Sequence, residues 1–193
     1  MKKNLTTLVI LFIVLNSFSQ TRFGINSKIN FNDSSNIWQL GGGSIGFITE
    51  TKLSDKWSLN ADISFIPFYD YSIKKPGIKD TFGNDVNAIG FSSSVLNIPL
   101  KINYALNKTF TLESGLDINY RTSIKHNITD LNSISLINKI KKTDFGFLIG
   151  IGINTSERFA IKIGRTFGLS NIVDNTKNSY FTLSFNYFFS KLD

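Results

Sequence analysis

His126 is the only histidine in this chain of 193 residues, so a Ser–His nucleophile would have to run through it. It lies between Lys125 and Asn127 in a polar stretch, and its plainer reading is a solvated loop histidine. The chain has no Gly-x-Ser-x-Gly elbow, no phosphate loop and no His-Glu-x-x-His pair. Gly41, Gly42 and Gly43 stand at a strand start, where glycine relieves crowding rather than cradling phosphate. Asp80, Asn84 and Asp85 offer oxygen ligands without the regular spacing of a calcium loop. Cysteine is absent, which removes disulfides, thiolate metal sites and lipid acylation at cysteine. The expectation is therefore a protein without catalysed reaction, cofactor or metal.

A second set of residues carries charge rather than catalysis. Lys28, Glu50, Asp62, Lys101, Glu113, Asp117 and Lys162 have mixed signs and occupy the polar positions of alternating segments. Ions taken out of water need partners, because an isolated one is costly to desolvate. If one surface gathered these seven, they would pair into a network. Two further lysine groups, Lys74, Lys75 and Lys79, then Lys139, Lys141 and Lys142, fall in long polar connections. There they would be solvated, or would meet lipid phosphates as point charges.

The elements that must position these charges are strands. Apolar and polar residues alternate with period two over 23–31, 45–50, 57–65, 96–104, 110–120, 145–153, 159–165 and 181–189. Ser27, Ile66 and Arg165 break the parity. Pro99 removes a ladder donor, so a bulge that bends its strand is expected there, or else a tolerated local defect. The connections alternate too. Short turns at 53–56, 106–109 and 155–158 separate longer polar stretches at 32–40, 70–94, 125–143 and 170–178. Residues 131–140 could hold a turn or two of helix. The expected fold is all-β: an eight-stranded antiparallel up-and-down transmembrane barrel, with short periplasmic turns and long extracellular loops.

The apolar face is expected outside. The polar face is rich in glycine, serine and asparagine, which suit the narrow lumen of an eight-stranded barrel. Aromatic residues gather near segment ends on the apolar face, as in interfacial girdles: Phe23, Trp57, Tyr104, Phe110, Tyr120, Phe159, Tyr187 and Phe189. A soluble lipocalin-like barrel has the same period with its apolar face inward.

The N-terminus reads as an export signal. Lys2 and Lys3 precede the apolar run 8–15, and Ser17-Phe18-Ser19 gives a small-x-small cleavage pattern before Gln20. The apolar run is too short for a spanning helix, which takes about 20 residues. The expected division is a signal peptide over 1–19 and one barrel domain over 20–193. The formal net charge of +7 is scattered or in loops, so nucleic acid is not expected as a partner.

Several motifs are shared with a known family. Phe23-Gly24-Ile25, Gly46-Phe47, the run from Lys52 to Leu59, and above all Leu96-Asn97-Ile98-Pro99-Leu100 carry the likeness. Asp144-Phe145-Gly146 and the aromatic last strand add to it. By these the chain resembles the outer-membrane β-barrel "porin family" of the Bacteroidetes type, small barrels of the OmpA or OmpX kind. Ser190, Lys191, Leu192 and Asp193 depart from it by following the last aromatics. The resemblance implies a fold and an outer-membrane location, with no assigned reaction.

The expected function is a structural or surface-interaction role in the outer membrane, with at most limited passage of small solutes. Its expected partners are outer-membrane lipids, lipopolysaccharide among them, and the barrel-assembly machinery; the sequence does not set an oligomeric state. The alternatives are a periplasmic barrel binding an apolar ligand and a lipid-modifying barrel enzyme using His126.

Overall fold

The structure, a computed structural model, describes residues 20–34, 37–79, 85–126, 140–173 and 176–191. The leader expected over 1–19 and the helical turn considered at 131–140 lie outside these residues, apart from Ile140.

Period-two alternation produces one sheet that closes on itself. Its strands are β1 (Thr21–Ser34), β2 (Ile37–Lys52), β3 (Trp57–Lys79), β4 (Asp85–Ala105), β5 (Phe110–His126), β6 (Thr143–Asn154), β7 (Phe159–Gly168) and β10 (Tyr180–Phe188). A small separate hairpin, β8 (Asn171–Val173) with β9 (Thr176–Lys177), lies between β7 and β10. The barrel is an antiparallel meander in chain order, closed by β1 against β10.

The three short turns use one device. Ser54 Oγ accepts hydrogen bonds from the amides of Lys56 and Trp57, at 3.4 and 3.2 Å. Asn107 Oδ1 does so for Thr109 and Phe110. Ser156 Oγ does so for Arg158 and Phe159. A side-chain oxygen that mimics a backbone acceptor fixes each tight reversal.

The other end of the barrel differs from expectation. The stretch 70–94 continues as paired strand: Asp70 faces Ser92, Tyr71 faces Phe91, Ile73 faces Ile89 and Lys79 faces Asp85. β3 therefore runs for 23 residues and β4 for 21. Residues 32–40 are likewise mostly strand, with Ser34 opposite Ile37. A ladder needs only backbone groups, so it persists where the sequence no longer alternates strongly.

The bulge expected at Pro99 is absent. Pro99 pairs with Asp117 in unbroken register, and on its other side the ladder resumes the same register at Ser64 and Asn97. Proline has no N–H to donate, and here that costs rungs opposite Asp62 and Ile63 without shifting the strand. The irregularities lie elsewhere: at Asn30/Phe31, Ile66/Tyr69, Lys74/Ile78 and Ser94/Val95. At the first, Gly42 has φ of 150°, and a Cβ there would collide with the Phe68 carbonyl oxygen.

The apolar face is outside. Phe47, Ile63, Leu100 and Ile149 are 66%, 47%, 45% and 44% exposed, whereas Asn60, Lys101 and Asp117 are 0%, 3% and 1% exposed. A soluble barrel has the reverse arrangement. Among the described residues no helix is long and apolar enough to cross a membrane.

Candidate functional site

The inward positions of eight strands fill the lumen with polar side chains, in three levels. At the short-turn end, Arg22 donates to Glu50 from Nη2 at 2.7 Å and from Nε at 3.1 Å. Its Nη1 donates to the Glu157 carbonyl at 2.6 Å. Its guanidinium also lies 3.7 Å from the centre of the Phe188 ring, an inward aromatic. Glu50 further accepts from the Ser58 hydroxyl at 2.6 Å.

The middle level is a row of alternating charges. Lys162 donates to Glu113 at 2.9 Å, Lys101 lies 3.5 Å from Glu113 and 3.3 Å from Asp62, and Lys28 lies 3.0 Å from Asp62. Each ion has an opposite neighbour, which offsets the cost of taking all five out of water. Gly150 and Gly164 face each other across β6 and β7 beside the Glu113 carboxylate, where a larger residue at Gly150 would crowd it.

The third level is bound by amides. Lys28 donates to Asn97 Oδ1 at 3.1 Å, and Asn97 Nδ2 donates to Asp117 at 2.6 Å and to Asn119 at 2.9 Å. The Tyr180 hydroxyl donates to Asp117. Asn119 donates to Asp144 at 3.1 Å, and Arg121 pairs with Asp144. Between Lys28, Lys101, Asp117 and Tyr180 remains a cavity of about 10 Å³, the room of a single water.

Above this level an apolar cap closes the lumen. Ile66, Tyr69, Val95, Ile140, Ile172, Val173 and Tyr180 form one buried cluster. Tyr69 and Tyr180 meet edge to face at 5.9 Å, and the Tyr69 hydroxyl donates to Asn178 at 3.2 Å. At the opposite end a polar vestibule of about 450 Å³ opens between the short turns.

Of the seven charges read from the sequence, Lys28, Asp62, Lys101, Glu113 and Lys162 form one row, and Asp117 joins it through Asn97. Glu50 sits apart, with Arg22. Arg22, Arg121, Asp144 and Tyr180 were not among the seven, although each shares the inward parity of its strand; extending the alternation to the strand ends would have found them. His126 closes β5 opposite Phe91. Lys74 and Lys79 stand on the extended β3, and Lys141 and Lys142 are exposed just before β6. Lys139, Asp80 and Asn84 lie outside the described residues.

An apolar exterior around a charged, filled interior is the geometry of a membrane barrel. The family model for the outer membrane protein β-barrel domain matches residues 14–174. The chain belongs to that family. Among solved structures, this outer-membrane barrel is similar to Ail, the attachment invasion locus protein of Yersinia pestis, at 10% identity and a TM-score of 0.49, over 88% of this chain and 98% of that one. It is also similar to Neisserial surface protein A, at 11% identity and a TM-score of 0.47, over 88% and 97% of the two chains. The outer membrane protein W of E. coli aligns at 13% identity and a TM-score of 0.45, over 88% and 98%. No curated protein matches the sequence.

Proposed function

We propose that the protein is a closed, non-conducting barrel of the outer membrane, of the Bacteroidetes porin-family type, with a structural or surface-interaction role and no catalysed reaction. One observation carries this reading: among the described residues, paired ions, amides and an apolar cap occupy the lumen above the vestibule at Arg22 and Glu50, with a cavity of about 10 Å³ between Lys28, Lys101, Asp117 and Tyr180. A hydrated ion passing through would have to separate Lys28 from Asp62 or Lys162 from Glu113, both nearly buried. In this reading residues 1–19 are cleaved on export. The short turns face the periplasm and the long β3–β4 hairpin faces outward. The barrel-assembly machinery inserts the chain, and outer-membrane lipids, lipopolysaccharide included, surround it.

Purified protein refolded into planar lipid bilayers tests this. The expected record is a flat baseline, with at most small, brief events. Large, stable conductance steps from protein whose gel mobility shifts on boiling would refute the sealed lumen.

A further inference from the structure

The outer wall carries a groove of about 830 Å³. It starts at Trp57 and Tyr104, at the short-turn end, and climbs to Arg165 and Phe181. The dent comes from Ser114, a small outward residue between Ile102 and Ile149 on the adjoining strands. Beside it Ile151 and Ile163 stand 54% and 59% exposed. In a bilayer such a wall meets acyl chains, and the volume falls within the range of pockets that hold a whole small ligand.

The lower mouth of this groove is charged. Trp57 and Tyr104 pair across β3 and β4, and their rings lie 4.7 Å apart. Lys56, the last residue of the first short turn, has its Nζ 6.0 Å from the centre of the Tyr104 ring. The Ala105 amide donates to the Lys56 carbonyl at 2.8 Å, which holds that turn against the second. The second turn carries Lys108, and it joins the strand of Tyr104 to that of Leu112, the residue opposite Tyr104. Lys56 and Lys108 also border the vestibule together with Trp57, and both are exposed.

The charges at this end do not cancel. Arg22 pairs with Glu50, Lys52 lies 3.8 Å from Asp55, and Lys191 pairs with Glu157, which also feels the charge of Arg158. Among the described residues neither Lys56 nor Lys108 pairs with a carboxylate. Two uncompensated cations therefore stand where an apolar slot opens toward the short turns.

We propose that the groove holds one anionic glycerophospholipid of the periplasmic leaflet, its phosphate at Lys56 and Lys108 and an acyl chain against Ser114. Cations at the mouth of an apolar slot complement an amphiphile with a negative head. A zwitterionic lipid brings an ammonium group of its own beside its phosphate, so it gains less from two lysines. The choice of leaflet rests on the orientation proposed above.

The full chain is made with Trp38→Phe, which leaves Trp57 as its one tryptophan, and is refolded in dodecylmaltoside micelles. It is titrated with phosphatidylglycerol bearing brominated acyl chains and, separately, with phosphatidylethanolamine brominated in the same way. Saturable quenching of Trp57 is expected, with one lipid per chain by native mass spectrometry. Phosphatidylglycerol should bind roughly tenfold more tightly, as two lysines at an anionic headgroup would give, and high salt should narrow the margin. Lys56→Gln combined with Lys108→Gln should bring phosphatidylglycerol down to the level of phosphatidylethanolamine. Ser114→Phe should weaken both lipids by roughly tenfold, the loss of about two buried methylenes. Each variant must keep the gel shift on boiling; Ser114→Leu replaces Ser114→Phe if that one does not fold.

Equal affinity for the two lipids in the wild type overturns the anionic selection. A preference that survives in the double lysine variant overturns the phosphate contact, and undiminished binding in the serine variant overturns the groove. Quenching that never saturates shows ordinary lipid contact without a site. A dimer in lipid-free micelles that Ser114→Phe converts to monomer assigns the groove to a second copy instead. Wild-type protein that inserts into membranes yet shows no saturable lipid ends this inference alone; wild-type protein that fails to insert ends it together with the outer-membrane reading.

Discussion

The two ends of the lumen are filled by different means. From Arg22 to Asp144 the filling is ionic and amide, and it is held by side chains of the barrel wall itself. Above it the filling is apolar, and part comes from segments outside the wall: Ile140 precedes β6, and Ile172 and Val173 belong to β8. The boundary between the two coincides with the irregularities at Ile66/Tyr69 and Ser94/Val95. Ile66 and Val95 keep the inward parity of their strands, and Tyr69, just past the first irregularity, turns inward beside them. The contrast teaches that a fixed ladder suits charges, which need set distances, whereas a cap of hydrophobic contacts tolerates pieces that arrive from elsewhere.

The strongest way to break this contrast is at Asp62, which faces both Lys28 and Lys101. Asp62→Asn leaves two buried ammonium groups short of an anion and should cost about 3–5 kcal/mol. Lys101→Met should cost less, on the order of 1.5–3 kcal/mol, because Asp62 keeps Lys28 and Glu113 keeps Lys162. Urea unfolding of barrels refolded in vesicles gives both values, and a reversed order would show that the row is not organised around Asp62.

Glycines of the wall come next. A Cβ on Gly115 would press on the Leu100 carbonyl and lie 2.7 Å from Lys101 Cα, while one on Gly164 has its nearest contact at 3.4 Å. Gly115→Val should therefore cost about 1–3 kcal/mol by overpacking. Gly164→Ala should move stability by no more than about 0.5–1 kcal/mol. The same unfolding series measures the pair.

The cap should behave as the softer part. Ile172→Ala ought to cost less than the about 2–5 kcal/mol of an ordinary core truncation, because β8 and β9 can lift while the barrel stays shut. Deuterium exchange should rise at 171–177 and stay unchanged in β5 and β6; equal loosening of the wall would erase the distinction between the two ends. The smallest effect lies outside both regions. Lys191 donates to the exposed Glu157 and holds its carboxyl below the ordinary glutamate range. What little this pair contributes is present above the unfolded pKa and lost as pH falls through the lowered one. Glu157→Gln should leave the urea midpoint unmoved at neutral pH.

Much of this contrast was legible beforehand. Alternation placed eight strands and their inner face, because a wall between lipid and a narrow lumen imposes period two on every residue. It put Lys101 and Glu113 on the same side as Asp62. It said little about the cap, since Ile140 and Ile172 belong to no amphipathic segment and reach the lumen through loop geometry. The upper parts of β3 and β4 were hidden for a related reason: no oily surroundings force alternation on them. The apolar partners Tyr71 with Phe91 and Ile73 with Ile89 were their one readable trace. At Pro99 the second of the two alternatives held: the missing donor deletes rungs without displacing the strand, a tolerated local defect rather than a bulge.

The ladder between β2 and β3 ends at Ile45 and Phe65, yet β3 and β4 go on pairing as far as Lys79 and Asp85. At about 3.3 Å per residue, the ten steps from Tyr69 to Lys79 amount to a mast of roughly 30 Å. In the proposed orientation this hairpin carries its ladder farther past the last β2–β3 pair than the β1–β2 hairpin does, which ends its pairing at Ser34 and Ile37. In that orientation an antibody, a phage or a protease approaching the cell would meet this mast.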